Sequence, residues 1–246
     1  RVEPITIIVS KAGWIRAAKG HDIDPTAVNF KSGDSLLASV IGRSNQNVYL
    51  QDSTGRFYAV PSHTLPSARG QGEPASGKLN LPAGATLTGM IMGEDDKEVF
   101  VGTSAGYGFR TTITDLHTKN KAGKSVVKIS PYAQVVQPKL IYDDNSLIVA
   151  VSNEGRMLVF DISNVPKLVK GKGNKIINIP SARLKRGVEW VVDYAIVGQG
   201  TSLLVYSGKR YLSLKYGDLE HYVGERGRRG HKLPRGFQRV DYLKSE

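Results

Sequence analysis

An all-β fold of radial repeats, with about five propeller-like blades, is the architecture this sequence predicts. Three observations carry the prediction. A glycine-centred hairpin recurs from end to end, with turn glycines at Gly13, Gly55, Gly106, Gly155 and Gly208, separated by 42, 51, 49 and 53 residues. Each turn follows a β-rich run (ITIIVS, NVYLQD, EVFVGT, SLIVAV, SLLVYS) and precedes a large apolar residue: Trp14, Phe57, Phe109, Met157 or Tyr211. No segment shows a sustained 3.6-residue apolar period, so no long helix is expected.

The stretch Ser146–Asn174 shows the unit most plainly. Leu147 to Val151 is an apolar β-type run, Asn153-Glu154-Gly155 is a tight polar turn, and Met157 to Phe160 returns. Glycine supplies the positive φ such a turn needs. A lone two-stranded hairpin is marginal in water, and the other copies provide the partners it requires. Ten residues past the first four turn glycines lies an aliphatic residue (Ile23, Leu65, Leu116, Val165); in the fifth copy the offset is eleven, at Leu219. A second glycine follows seven or eight residues later in copies two to five, at Gly72, Gly123, Gly173 and Gly227, with Gly33 the nearest counterpart in copy one.

These offsets divide the chain into repeats of about 1–43, 44–93, 94–144, 145–198 and 199–246. In the first, a hairpin over Ile5–Ala18 leads through GHDIDPTAVNF to a strand over Leu36–Ile41. The second runs from its hairpin through SARGQGEPASGK to LNLPAGATLTGMIM. The third carries the connector NKAGKSVVK. The fourth carries KGKGNKIINIPSARLKR and then Val188–Val197, read as one buried strand with Trp190 in it. The fifth ends in GERGRRGHKLPRGFQRVDYL, and its tail, Gly236–Leu243, is expected to pair beside the first repeat and close the ring.

With 246 residues and 40% apolar content the chain can bury a sizeable core, and no linker or low-complexity tract interrupts the repeat, so a single domain over 1–246 is expected. The sequence starts at Arg1 rather than Met and reads as part of a longer protein. It has no run of 18 apolar residues and no signal-peptide pattern. The lack of cysteine excludes disulfides and cysteine–zinc sites and points to a reducing, cytoplasmic compartment.

The five histidines are dispersed, and no Ser-His-Asp order, nucleophile elbow or metal-ligand spacing stands out, so no catalytic or metal-binding residue is assigned. His21-Asp22, Glu94-Asp95-Asp96 and Asp143-Asp144 read as solvated turns. Gly123-Lys124-Ser125 resembles the end of a phosphate-binding loop, but Thr118 stands where that motif needs glycine.

The net charge of +12 is unevenly spread. The segments Lys119–Lys139, Lys167–Arg186 and Gly224–Arg239 hold 18 of the 34 basic residues and one of the 22 acidic ones. They fall between hairpins, at similar places in successive repeats, which would align them along one rim. Lysine and arginine so placed neutralise successive phosphates and release counterions, and a convex basic edge bends the duplex that follows it. Double-stranded DNA is therefore the expected partner. The candidate contacts are Arg69, Lys119, Lys121, Lys124, Lys170, Lys172, Lys175, Arg183, Lys185, Arg186, Arg226, Arg228, Arg229, Lys232 and Arg235. The alternative is a propeller-type interaction module whose basic rim meets an acidic protein.

The unit SNEGRMLVFDISNVP followed by KGKGNKIINIP, with SARGQGEP, AGYGF and GERGRRG, resembles the repeats of the C-terminal domains of bacterial type II topoisomerase A subunits, the topoisomerase IV branch most of all, over the whole chain. The resemblance implies a five-bladed β-pinwheel whose blades exchange strands, with DNA bound and bent around its outer rim. Gyrase members of the family carry a basic box of the form Q-R-R-G-G-K-G. Gly224–Gly230, GERGRRG, departs from it at Glu225 and lacks the double glycine, which argues against strong chiral wrapping and fits an enzyme that relaxes and decatenates. The resemblance also implies a domain with no chemistry or cofactor of its own. Mg²⁺ and ATP would be used elsewhere in a heterotetramer with an ATPase B subunit. It further implies a role in chromosome segregation, a condensin-type partner, a nucleoid-associated location and a peripheral association with membrane.

Overall fold

The computed structural model describes residues 1–246. Five hairpins appear where the turn glycines predict them. The first repeat supplies β1 (Pro4–Ser10), β2 (Trp14–Lys19) and β3 (Leu36–Arg43). The second supplies β4 (Asn47–Asp52), β5 (Arg56–Pro61), β6 (Glu73–Pro74) and β7 (Leu87–Ile91). The third supplies β8 (Glu98–Gly102), β9 (Tyr107–Thr112), the one-turn helix α1 (Ile113–Leu116), β10 (Lys124–Ser125) and β11 (Lys139–Ile141). The fourth supplies β12 (Leu147–Ser152), β13 (Arg156–Asp161), β14 (Asn174–Lys175), the short helix α2 (Ser181–Lys185) and β15 (Val191–Val197). The fifth supplies β16 (Ser202–Ser207), β17 (Arg210–Lys215), β18 (His231–Lys232) and β19 (Tyr242–Ser245).

Each sheet centres on the first strand of a hairpin. The orders are β3-β1-β2-β6, β10-β5-β4-β7, β11-β8-β9-β14, β15-β12-β13-β18 and β17-β16-β19. In sheets 1 to 4 the fourth strand is a two-residue piece donated by the following repeat: β6 pairs with β2, β10 with β5, β14 with β9 and β18 with β13. The blades of this β-pinwheel therefore exchange strands. The donor is released from its own repeat by a long connector. The third long strand starts 23 residues after the turn glycine in the first repeat and 32 to 36 residues after it in the others. The first repeat has no room for a donor strand and has none.

A glycine precedes every donated strand for a steric reason. Gly72, Gly123, Gly173 and Gly230 all have positive φ, from +76° to +89°. A Cβ at each would meet the backbone of the recipient strand: the carbonyl oxygen of Ile15 at 2.5 Å, that of Phe57 at 2.9 Å, and those of Gly108 and Met157 closer still. The fifth-copy equivalent is thus Gly230, not Gly227 as the spacing suggested, because GERGRRG offers three glycines and only at Gly230 would a Cβ meet the backbone of β13. Three residues after each glycine a buried apolar side chain pins the donor: Ala75, Val126, Ile176 and Leu233. Burying such a side chain contributes about 1.5–3 kcal/mol for the larger ones.

The chain divides into two compact units, residues 1–97 with 112–126, and residues 98–111 with 127–246. The first unit holds sheets 1 and 2 around Ile7, Val9, Ile15, Leu50, Tyr58 and Met90. The second holds sheets 3, 4 and 5. There, alternate residues of β12 enter different cores: Ile148 and Ala150 pack with Phe100, Ile176 and Tyr194, whereas Val149 and Val151 pack with Leu203, Val205 and Leu219. A strand buried on both faces has to be apolar throughout, and this explains the unbroken run LIVAV.

Two expectations about strands need correction. The tail is a strand of sheet 5 and not of the first repeat's sheet: β19 pairs with β16 through Leu203, Leu204, Val205 and Tyr206. The buried strand of the fourth repeat starts at Val191, and Trp190 is 38% exposed because it forms the latch to Asn153 that precedes the strand.

Candidate nucleic-acid interface

The basic segments are held outward because each connector touches its recipient strand at two places. In the fourth repeat, the amide of Arg110 donates to the Pro166 carbonyl (2.8 Å) and that of Leu168 to the Arg110 carbonyl (2.9 Å). Six residues later Asn174 and Lys175 pair with Gly108 and Tyr107. The residues between, 169–173, do not pair with β9, and Lys170 and Lys172 are exposed there. In the fifth repeat, Gly224 N–H donates to Val159 (3.0 Å), and His231 and Lys232 pair with Met157 and Arg156. The excursion between these anchors carries Arg226, Arg228 and Arg229.

Successive connectors are also joined to each other. Asn80 N–H donates to Lys121 in the first unit; Lys128 N–H donates to Gly171 and Asn178 N–H to Arg228 in the second, each at 2.9 Å. In the second unit this aligns the excursions of the fourth and fifth repeats side by side. Gly227 N–H reaches the Ile176 carbonyl (2.8 Å), and the Arg226 guanidinium reaches the Lys175 carbonyl (2.9 Å). Lys170, Lys172, Lys175, Arg226, Arg228 and Lys232 lie along that edge, all of them exposed. Lys172 lies over the Tyr107 ring at 4.1 Å, and Arg228 pairs with Glu225 in an exposed contact worth little.

The remaining candidates divide by environment. Lys119 and Lys121 are exposed in the first unit, on the excursion beside sheet 2, and Arg69 is exposed beside sheet 1. Lys124 is half-buried, with its ammonium donating to the Asp115 carbonyl at 2.5 Å. Lys185 and Arg186 are exposed at the end of α2, and Arg235 is exposed after β18. Arg183 and Arg229 are held differently. Both converge on Glu189, which is fully buried: Arg183 Nε lies 3.1 Å and Arg229 Nη2 lies 2.9 Å from Glu189 Oε1. Arg183 also pairs with Glu154, and Arg229 donates to the Asn178 carbonyl (2.9 Å). Burial pushes the Glu189 carboxyl up, but hydrogen bonds from Arg229 and Ser152 and the arginine charges outweigh it and hold the carboxyl below its ordinary pKa. Both arginines are thus occupied: Arg229 fastens the fifth connector to the fourth repeat, and Arg183 ties α2 to Glu154 in the β12–β13 turn and to Glu189.

A set of arginines that spacing did not single out does the same work. Arg16 donates to the carbonyls of Gly70 and Asn29, both at 2.6 Å. Arg56 donates to Ala122 (2.8 Å) and Gly123 (3.0 Å), Arg110 to Val165 (2.8 Å), and Arg156 to Gly230 (3.3 Å). Each sits on a recipient strand one to four residues after its turn glycine, and that recurrence was the available signal. Lys128 also belongs with the exposed cations, and it lies in the acid-free stretch Lys119–Lys139.

Comparison with known proteins agrees with this architecture. The family model for the DNA gyrase C-terminal domain, a β-propeller, matches residues 97–141 and 146–197. The chain is 50% identical over 242 residues to the A subunit of DNA topoisomerase 4 from Pseudomonas aeruginosa and 49% identical over 239 residues to its Escherichia coli counterpart, covering 98% and 97% of this chain. It spans about a third of the length of these relatives, 32% in both cases. Among solved structures it is similar to the E. coli ParC C-terminal domain, with 48% identity, a TM-score of 0.82 and 99% of each chain covered. A gyrase A C-terminal domain at 16% identity and a TM-score of 0.72 shares the fold, with 97% of this chain and 81% of that one covered. Five sheets, four of them completed by a strand of the next repeat, a basic connector between successive hairpins and this degree of identity across nearly the whole chain lead to one conclusion: the chain belongs to the family of C-terminal domains of topoisomerase IV A subunits, the ParC branch of the type II topoisomerases.

Proposed function

We propose that the chain is a DNA-binding and DNA-bending arm that presents duplex segments or crossings to a strand-passing enzyme, in relaxation and decatenation during chromosome segregation. One observation carries the reading: the excursions of the fourth and fifth repeats lie side by side and present Lys170, Lys172, Lys175, Arg226, Arg228 and Lys232 with only Glu225 among them. Cations in such a row meet successive phosphates without reading bases. On this reading the duplex partner is joined by an ATPase B subunit together with the remaining domains of the A subunit. Mg²⁺ and ATP act outside these residues. A condensin-type partner, a nucleoid-associated cytoplasmic location and contact with membrane belong to the same proposal.

Binding of a roughly 30-base-pair duplex across a salt series tests it. With about five phosphates neutralised, log K should fall with log salt at a slope of about −4 to −5. Replacing Lys170 and Lys172 by alanine should reduce that slope by roughly 0.9 for each phosphate no longer neutralised, for all duplex sequences alike. A flat salt response would refute the reading.

A second reading has its own support. Tyr211, Tyr206 and Tyr242 form one row across sheet 5, with the rings of Tyr206 and Tyr242 stacked at 4.4 Å and Tyr211 60% exposed. Exposed aromatics beside Lys209 and Arg210 suit a contact with an acidic protein surface. Replacing Arg226 and Arg228 weakens duplex binding on the first reading and leaves it unchanged on the second.

A further inference from the structure

Tyr132 is the one residue other than glycine with a positive φ, +64°. It holds the third position of the turn Ser130–Ala133, in which the Ala133 amide donates to the Ser130 carbonyl at 3.1 Å. Two other repeats contain the same turn. Gly33 holds the position in Lys31–Asp34, with φ +82°, and Gly84 holds it in Pro82–Ala85, with φ +79°. The equivalence is fixed two residues later, where the hairpin turn latches onto the connector: Lys11 N–H to Ser35, Ser53 N–H to Thr86 and Ser104 N–H to Gln134, all at 2.8 Å. Gly33 is therefore the counterpart of Gly84 and Tyr132, and not of the donor glycines.

In these three repeats the turn uses a left-handed residue, and two of them supply it with glycine, which adopts it freely. Tyrosine is strained there. Burial offers little return, since Tyr132 is 64% exposed. A bulky side chain kept in a strained conformation at an exposed site marks function. Its surroundings indicate which. The Lys185 ammonium lies 5.9 Å from the ring centre, Arg186 follows, and Lys128 is bonded through its amide to the excursion that carries Lys170 and Lys172. An aromatic face among phosphate-binding cations is the combination that grips nucleic acid by stacking as well as by charge.

We infer that Tyr132 is a duplex-contacting residue, with its ring packing against the sugar edge of the DNA backbone that follows the basic loops. The inference rests on the DNA-binding reading above. It is tested with Tyr132→Asn, since asparagine tolerates the left-handed conformation, and with Tyr132→Phe, which keeps the ring. Tyr132→Asn should bind a 30-base-pair duplex about fivefold more weakly with an unchanged salt slope, because no cation is lost. It should also melt about 1–3 °C higher as strain is relieved. Tyr132→Phe should bind as the unaltered chain does. Unchanged affinity in Tyr132→Asn overturns the inference alone, and so does a lowered melting temperature, which would give the ring a structural role. A parent chain that fails to bind duplex at any salt removes the DNA-binding reading together with this one.

Discussion

Sheets 4 and 5 begin from the same hairpin and end differently. In sheet 4, β13 receives β18; Arg156 fastens the donor carbonyl of Gly230, and Met157 beneath it is buried. In sheet 5 the register makes Arg210 and Tyr211 the counterparts of that pair, and both are exposed, with no strand on β17. The hairpin and its third strand are evidently sufficient to form a sheet. What the fourth strand adds is a sealed edge and an outward loop of cations. The uncovered edge is guarded by charge instead, with Lys209, Arg210 and Lys215 along it, the usual defence against unwanted strand pairing.

The strongest way to break this difference is to block the donor. Gly230→Ala places a Cβ against the Met157 carbonyl on a left-handed backbone and should cost about 2–4 kcal/mol. Gly227→Ala, with its nearest neighbour 3.5 Å away, should cost about 1 kcal/mol, mostly from its positive φ. Denaturant unfolding of the two variants separates them, and equal losses would refute the assignment of Gly230 as the docking glycine.

Next in size is Glu189→Gln, which leaves Arg183 and Arg229 without their shared charge. Both arginines are about a third exposed, so the loss should be about 1–3 kcal/mol rather than the full cost of breaking a buried pair. The carboxyl stands below its ordinary pKa in the folded chain. Its stabilising effect is therefore complete above the unfolded value, near pH 4.3, and is lost as pH falls through the lower folded value. Melting temperatures of the parent and variant should converge as pH falls through that acid range, and a gap that stays constant would count against the arrangement.

The smallest effect sharpens the comparison most. Arg156→Ala should cost about 1 kcal/mol through its lost bond to Gly230, whereas Arg210→Ala should stay within about 0.5 kcal/mol of the parent. In the same spirit, outward-facing amides of β17 should exchange with solvent faster than the paired ones of β13.

The hairpins were legible because turn glycines and apolar runs are local signals, and LIVAV alone announces a strand buried on both faces. The donated strands were not. A two-residue strand has no period, and whether Asn174-Lys175 pairs at all is decided by β9, some 65 residues earlier. The same limit hid the true partner of the tail and the docking glycine within GERGRRG. Of the site, the acid-poor stretches were plain in composition. That Arg183 and Arg229 are taken up by Glu189 was not, since the partners stand 6 and 40 residues away. Tyr132 carried no sequence signal until its two glycine counterparts were aligned in space.

Strand exchange also sets a schedule for biosynthesis. The last residue of β3 is Arg43, but sheet 1 is incomplete until Pro74 has been made. At roughly 5–20 residues per second that leaves β2 with a bare edge for about 2–6 s. The same wait recurs for sheets 2, 3 and 4, so a growing chain always trails one unfinished sheet, and a ribosome that stalls within a connector leaves behind a product ready to pair with its neighbours.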